Sequence, residues 1–122
     1  MSLPDLLVEQ LSAEALGERW RIVWRIRNRG VDPLAVTSAW LPHGRFRSPE
    51  WRLEPPLSLP PDGQAILPSE VAWREPPGTV VENGFLILRL EGWRAFARLT
   101  ITAGPSAEPQ AVCEAVTVQG AG

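Results

Sequence analysis

The stretch that decides the fold reads Arg19-Trp20-Arg21-Ile22-Val23-Trp24-Arg25-Ile26-Arg27-Asn28-Arg29. Large apolar side chains occupy its even positions up to 26, and five arginines occupy odd positions. Neighbouring side chains of a β-strand point to opposite faces, whereas a helix would scatter these arginines around its girth. The stretch therefore predicts a strand with one buried face and one solvated face.

A second stretch predicts a β-hairpin. It runs from Phe85 to Leu90, turns at Glu91-Gly92 and returns from Trp93 to Thr102. With a two-residue turn, Leu90 faces Trp93, and the apolar residues of both strands share one face. Glutamate suits the first turn position less well than Asn or Asp, so a bulged loop is the alternative.

Shorter apolar segments predict further strands. Leu34 to Leu41 forms one, with Leu34, Val36 and Trp40 on one side, and others are expected at Ala65 to Leu67, Val71 to Trp73 and Ala111 to Val118. Residues 6–16 fit a helix or a strand; we favour a strand, because Gly17-Glu18 can turn a hairpin into the next segment.

Two regions are expected to be irregular. Residues 42–64 are rich in Pro and Gly, which predicts a meandering loop with a short strand near Trp51-Arg52-Leu53. Residues 119–122 are expected to form a frayed tail. The remaining segments amount to about seven short strands, the pattern of an all-β, immunoglobulin-like, two-sheet antiparallel sandwich. A length of 122 residues suits a single domain over residues 1–122.

Three motifs carry a family resemblance: Ile26-Arg27-Asn28-Arg29-Gly30, Leu59-Pro60-Pro61-Asp62-Gly63 and Gly92-Trp93. In these the chain resembles bacterial immunoglobulin-like and fibronectin-III-like modules, including CARDB-type adhesion domains. The resemblance implies a β-sandwich that binds another molecule or spaces neighbouring domains. It departs from antibody domains in lacking their paired cysteines.

Composition excludes several classes of protein. One cysteine excludes an internal disulfide, and one cysteine with one histidine excludes a Cys/His zinc cage. No apolar run approaches the ~18 residues that cross a bilayer, and the sequence begins without a secretory signal, so we expect a cytoplasmic protein. All 12 cationic residues are arginine, and Asn, Gln, Cys and Met are few, which favours a thermophilic bacterial source.

The candidate catalytic groups match no known constellation, and we expect a protein that is not an enzyme and needs no cofactor or metal. His43 could act as a base for Ser38 or Ser48, with Glu50 orienting it, but no G-x-S-x-G is present. A loop histidine that is solvated or caps the backbone is the simpler interpretation. Cys113 is expected to be a buried structural thiol. Glu50 with Glu54, or Glu70 with Glu75, could form an acid/base pair. Because Arg47, Arg52 and Arg74 are close to them in sequence, surface ion pairs with arginine are the simpler interpretation.

The hairpin predicts an interaction patch on its outer face. The two-residue turn places Phe85, Ile87 and Phe96 opposite the core, ringed by Arg89, Arg94 and Arg98. An apolar cluster edged with arginine is typical of a surface that binds a protein partner or a second copy in a homodimer. Alternatively, the Pro-rich loop covers the cluster through Trp51.

The arginine-rich face of the first stretch is the alternative site, for an anion or single-stranded nucleic acid. Its residues are Arg19, Arg21, Arg25, Arg27, Arg45, Arg47, Trp51 and Arg52. Nucleic acid is the less favoured partner, because the chain carries a net charge of −2 and nucleic-acid-binding domains are usually basic. The simpler interpretation is that Glu9, Glu14 or Glu18 on a neighbouring strand neutralises the row.

The six tryptophans divide into two groups. Trp20, Trp24, Trp40 and Trp93 are expected in the core, because each lies on an apolar face. Trp51 and Trp73 are expected in or beside loops, where an exposed ring could support a second alternative function, carbohydrate binding. The absence of Tyr and the presence of only two Asn disfavour that alternative.

Overall fold

The computed structural model describes residues 2–121, and strands make up most of them. Eight strands are present in this part of the chain: β1 (Leu6–Leu16), β2 (Arg19–Asn28), β3 (Leu34–His43), β4 (Phe46–Leu59), β5 (Gln64–Val71), β6 (Val80–Leu90), β7 (Trp93–Ala103) and β8 (Pro109–Gly120). They form a three-stranded sheet in the order β1-β2-β5 and a five-stranded sheet in the order β4-β3-β6-β7-β8. All strand pairs are antiparallel, so the predicted two-sheet antiparallel sandwich is confirmed. The strand orders β1-β2-β5 and β3-β6-β7 are those of strands A-B-E and C-F-G in immunoglobulin-type sandwiches.

The alternation predicted for β2 and for the hairpin is confirmed. In β2, Ile22, Trp24 and Ile26 are fully buried between the sheets, and the arginines lie on the other face. In the β6–β7 hairpin, Leu90 faces Trp93 across a two-residue turn. Glu91 is tolerated there because, of the two turn residues, only Gly92 adopts a positive φ.

The segment β1 is a strand, and it continues into β2 through a turn at Gly17 and Glu18. Leu6 and Val8 point into the core, while Leu11 lies at a register shift and is exposed. The last strand, β8, extends to Gly120, so residues 119 and 120 are paired with β7 rather than frayed. Residue 122 of the predicted tail lies outside the described residues.

The prediction of an irregular loop over residues 42–64 is wrong, because most of this segment forms strand β4. Prolines fit there because β4 is an edge strand whose pairing with β3 is interrupted where they occur. Residues 53–56, which include Pro55 and Pro56, stand opposite Thr37 alone, since Val36 pairs with residue 57 and Ser38 with residue 52. Pro49 lies in a second register shift, and no proline has to donate a ladder hydrogen bond.

A bulge in β3 also reverses the side predicted for Trp40. The register of β3 shifts between Val36 and Ser38, so one extra residue is accommodated. From there Ala39 and Leu41 point into the core and are buried, whereas Trp40 points outward with 40% of its surface exposed. Placing Trp40 in the core was therefore wrong.

An aromatic cluster joins the two sheets. Trp24 of β2 packs edge-on against Phe46 at the start of β4, with ring centroids 6.3 Å apart. Phe46 in turn packs edge-on against Trp73 at 5.8 Å. The indole of Trp24 donates to Ser69 Oγ at 2.9 Å, and that of Trp73 donates to the Ala107 carbonyl at 2.9 Å. Trp73, for which an exposed ring was considered, is instead buried, with 2% of its surface exposed.

Buried Asn28 ties the end of β2 to β4. Its Nδ2 donates to the carbonyls of Asp32 at 2.8 Å and Leu59 at 2.9 Å, and its Oδ1 accepts from the Gly30 N–H at 2.9 Å. Because every polar atom of this side chain has a partner, its burial does not leave an unsatisfied group. The Asn-x-Gly motif thus has a structural role in holding the turn between the two sheets.

Candidate binding surfaces

An apolar row crosses the outer face of the five-stranded sheet. Ile87 of β6 lies between Trp40 of β3 and Phe96 of β7, each being its direct cross-strand partner. Phe85 lies two residues before Ile87 and shares this face. We call Trp40, Phe85, Ile87 and Phe96 the outer row. Sequence reasoning placed three of them together and missed Trp40, which only the β3 bulge brings to this face.

The three arginines predicted around this row do lie on the same face, but their surroundings differ. Arg89 is opposite Arg94 in the hairpin, and Glu50 of β4 contacts Arg89 with 3.4 Å between Nε and Oε2. The same carboxylate oxygen accepts from Ser38 Oγ at 2.7 Å. Arg94 and Arg98 form no ion pair with the described residues. The outer row is therefore flanked by two uncompensated positive charges.

The Pro-rich segment is not positioned to cover the outer row. As strand β4 it continues the same sheet at the edge, next to β3. Trp51, the proposed cover, pairs with Ala39 and packs against the core from the inner side. Phe85, Ile87 and Phe96 are half-buried by their neighbours within the sheet.

The positive charge of the alternative arginine-rich face is largely balanced by nearby carboxylates. Arg25 pairs with Glu9 on β1, and Arg27 lies 3.7 Å from Asp62. Arg21 has Glu14 opposite it on β1 and Glu70 on β5. Glu18, also considered, pairs instead with Arg74, which is outside the row. Neutralisation across the ladder is thus seen directly at Arg25.

The remaining members of that alternative set do not form one surface. Arg45 pairs with Glu75, and Arg52 lies on the five-stranded sheet, where its Nε is 3.1 Å from Glu54. Phe46, an aromatic residue between two of these arginines in sequence, is fully buried. The structure brings together only Arg19, Arg21 and Trp51, which line a common cleft.

This cleft has a volume of about 450 Å³ and opens between the edge strands β5 and β4. The two edges are tied together beside it by backbone hydrogen bonds between Arg47 and Ala72, at 2.8 and 3.2 Å. Pro49 and Pro68 form apolar walls together with half-buried Trp51. We call it the β4–β5 cleft. Sequence reasoning missed it because the segment that forms β4 was predicted to be an irregular loop, and neither edge carries a recognisable motif.

The groups considered for catalysis have other partners. His43, at the end of β3, accepts the Arg45 backbone N–H on Nδ1 at 3.1 Å, which confirms the capping interpretation. Three of the four carboxylates form ion pairs, as expected: Glu50 with Arg89, Glu54 with Arg52 and Glu75 with Arg45.

Cys113 lies on the edge strand β8 and is half-buried rather than fully enclosed. Its Sγ is 3.6 Å from the Ala115 carbonyl. Partial burial raises the pKa of the Cys113 thiol, so less of it is present as the reactive thiolate.

The chain matches no known family, no curated protein and no solved structure. Residues 2–121 contain no group of three or more His, Cys, Asp or Glu side chains arranged to hold a metal ion. Nor do they contain a helix with the length and apolarity that a membrane crossing requires.

Proposed function

We propose that this protein is a non-catalytic interaction module whose outer row binds a partner protein bearing an apolar side chain flanked by acidic groups. The observation that carries the proposal is the continuous row Trp40–Ile87–Phe96 across three adjacent strands on a solvent-facing sheet surface. Scattered apolar residues are normal on surfaces, whereas a contiguous cluster is typical of an interaction site.

The size of the sheet supports a protein partner. Five strands about 4.8 Å apart and about ten residues long present a face of roughly 24 by 33 Å. This area is close to the roughly 800 Å² that one protein contributes to a standard interface. Tryptophan and arginine, which occur in the outer row and its border, are enriched in the residues that dominate binding energy. Phenylalanine is enriched in protein interfaces generally.

Charge favours a different protein over a second copy of this chain. Arg94 and Arg98 are unpaired within the described residues, so an acidic partner gains attraction at both positions. A second copy presents the same arginines to each other, and like charges across an interface are unfavourable. A homodimer through this face is therefore the competing outcome.

Phe96→Glu is expected to abolish partner binding by placing a charge in the centre of the outer row. Ile66→Glu is the matched control, because Ile66 is an exposed strand residue of the other sheet. Proteins retained from a lysate of the source organism by wild type and Ile66→Glu, but lost with both Phe96→Glu and Arg98→Glu, would be the specific partners. Light scattering on each purified variant gives the oligomeric state.

Two results would contradict this proposal. If wild type and Phe96→Glu are both monomers with the same set of retained proteins, the outer row is not a binding surface. If wild type is a dimer and Phe96→Glu a monomer, the occupant is a second copy rather than an acidic partner.

We also propose that the chain belongs with the bacterial CARDB-type modules that its motifs resemble, and that it acts in the cytoplasm of a thermophile. The A-B-E and C-F-G strand orders support the first part. Arginine-based ion pairs at seven positions are compatible with heat adaptation.

Heat adaptation predicts a melting temperature above the roughly 45–65 °C at which mesophilic domains unfold. Differential scanning calorimetry of the full chain measures it. A midpoint near 50 °C would argue against a thermophilic source, because it lies within the mesophilic range of about 45–65 °C.

A further inference from the structure

We propose that the β4–β5 cleft binds a small organic monoanion in which a carboxylate is attached to a flat apolar body. This site is separate from the outer row, which lies on the outer face of the five-stranded sheet. Its volume of about 450 Å³ falls within the size range of small-molecule sites. Pro49, Pro68 and the partly exposed ring of Trp51 provide walls for an apolar body.

Two guanidinium groups provide the site for the carboxylate. Arg19 and Arg21 are two residues apart on β2, share one face and both line the cleft. Within residues 2–121, neither of them forms an ion pair, in contrast to Arg25 and Arg27 further along the strand. A guanidinium binds a carboxylate through two parallel hydrogen bonds, which is the geometry expected for an arginine that projects into a cleft.

The charge of the lining favours a ligand with a single negative charge. Glu70 also lines the cleft and stands opposite Arg21 in the β2–β5 ladder. Because Glu14 of β1 also stands opposite Arg21, the charge left without a facing carboxylate is that of Arg19, whose partner on β1 is Leu16. A polyanion would experience repulsion from Glu70, whereas a monoanion placed beside Arg19 balances the lining.

Ser48 gives an independent indication of a ligand. It lines the cleft, is 4% exposed, and its Oγ is the one buried side-chain oxygen or nitrogen of the described chain without a hydrogen-bond partner. Leaving such a group unsatisfied is unfavourable, so unpaired buried hydroxyls are rare in folded proteins. A polar atom of a bound ligand would satisfy it.

The test is a calorimetric titration of the full chain with indole-3-acetate, 2-naphthoate and benzoate, and with indole-3-acetamide as a neutral isostere. We expect saturable binding at one site per chain for at least one carboxylate. The amide is expected to bind at least about tenfold more weakly than indole-3-acetate, since it lacks the charge that the arginines recognise.

Variants locate the site. Arg19→Gln and Arg21→Gln are each expected to weaken binding by about tenfold. Arg27→Gln is the matched control, because Arg27 lies on the same face of β2 outside the cleft. Ser48→Ala is expected to reduce affinity by about fivefold without lowering the melting temperature, a combination that a purely structural serine would not give.

Several results would overturn the proposal. They are the absence of saturable binding by all three carboxylates up to about 5 mM, equal affinity for the acid and the amide, or an equal loss in Arg27→Gln and Arg19→Gln. None of these depends on the outer row, since Phe96→Glu leaves the cleft intact. Failure of this site and failure of the proposed partner surface are therefore distinguishable.

Discussion

Trp24→Ala is expected to lower the free energy of unfolding by about 4 kcal/mol, whereas Trp40→Ala should lower it by less than about 1 kcal/mol. Trp24 is completely buried between the sheets and packs against Phe46. Its removal creates a large cavity and leaves Ser69 Oγ without the indole donor. Trp40 points to solvent with 40% of its surface exposed, so truncation leaves no enclosed cavity.

Urea unfolding followed by far-ultraviolet circular dichroism measures both effects, provided that the slope of the transition is unchanged between variants. The two substitutions remove the same side chain from adjacent sheets, so each serves as the control for the other. Equal losses of stability would mean that the β3 bulge does not turn Trp40 outward. The outer row would then lose its first member.

The alternation of β2 could be predicted from sequence because, apart from Val23, its large apolar residues and its arginines occupy alternate positions. In the β6–β7 hairpin, a two-residue turn places the leucines and alanines of both strands on one face. In such strands burial of one face fixes the register, and a slip of one residue would expose Trp24 and bury an arginine. The two-residue turn at Glu91-Gly92 followed from the same logic, since only that length places Leu90 opposite Trp93.

Prediction failed where a bulge inserted residues into the pairing. The shift after Val36 changes which side every later residue of β3 faces, and no residue in that segment signals it. At β4 the error was of the opposite kind, because the prolines led to the prediction of a loop where the chain forms a strand. They exclude a central strand but are tolerated in an edge strand whose register breaks coincide with them.

Of the two candidate binding surfaces, the outer row could largely be predicted from local sequence and the β4–β5 cleft could not. Phe85, Ile87 and Phe96 come from one hairpin, so local periodicity was sufficient to place them on one face. The β4–β5 cleft depends on how the edges of two sheets approach each other. That packing is a tertiary property, and the spacing of Arg19 and Ser48 in the chain contains no information about it.

Asn28→Ala is expected to destabilise the protein by about 3 kcal/mol, because three hydrogen bonds worth about 1 kcal/mol each are lost from a buried position. The Leu59 carbonyl, in a fully buried residue, would lose the Asn28 donor. Urea unfolding at neutral pH again gives the size of the effect. A loss below about 1 kcal/mol would mean that water replaces the side chain and that the turn does not depend on it.

Asn28→Asp separates the hydrogen bonds from the shape of the side chain. An ionised carboxylate can accept from the Gly30 N–H but cannot donate to the carbonyls of Asp32 and Leu59. Burial and two facing carbonyls would raise the pKa of this introduced carboxyl in the folded state, so the folded protein binds the proton more tightly than the unfolded chain does.

The stability of Asn28→Asp relative to Asn28→Ala should therefore rise as the pH falls through that raised pKa, because the protonated acid regains one donor. At neutral pH the aspartate variant should be no more stable than the alanine variant. At pH 4 it should be the more stable of the two. A difference between the variants that does not change with pH would show that Asn28 acts by filling space and not by donating to β4.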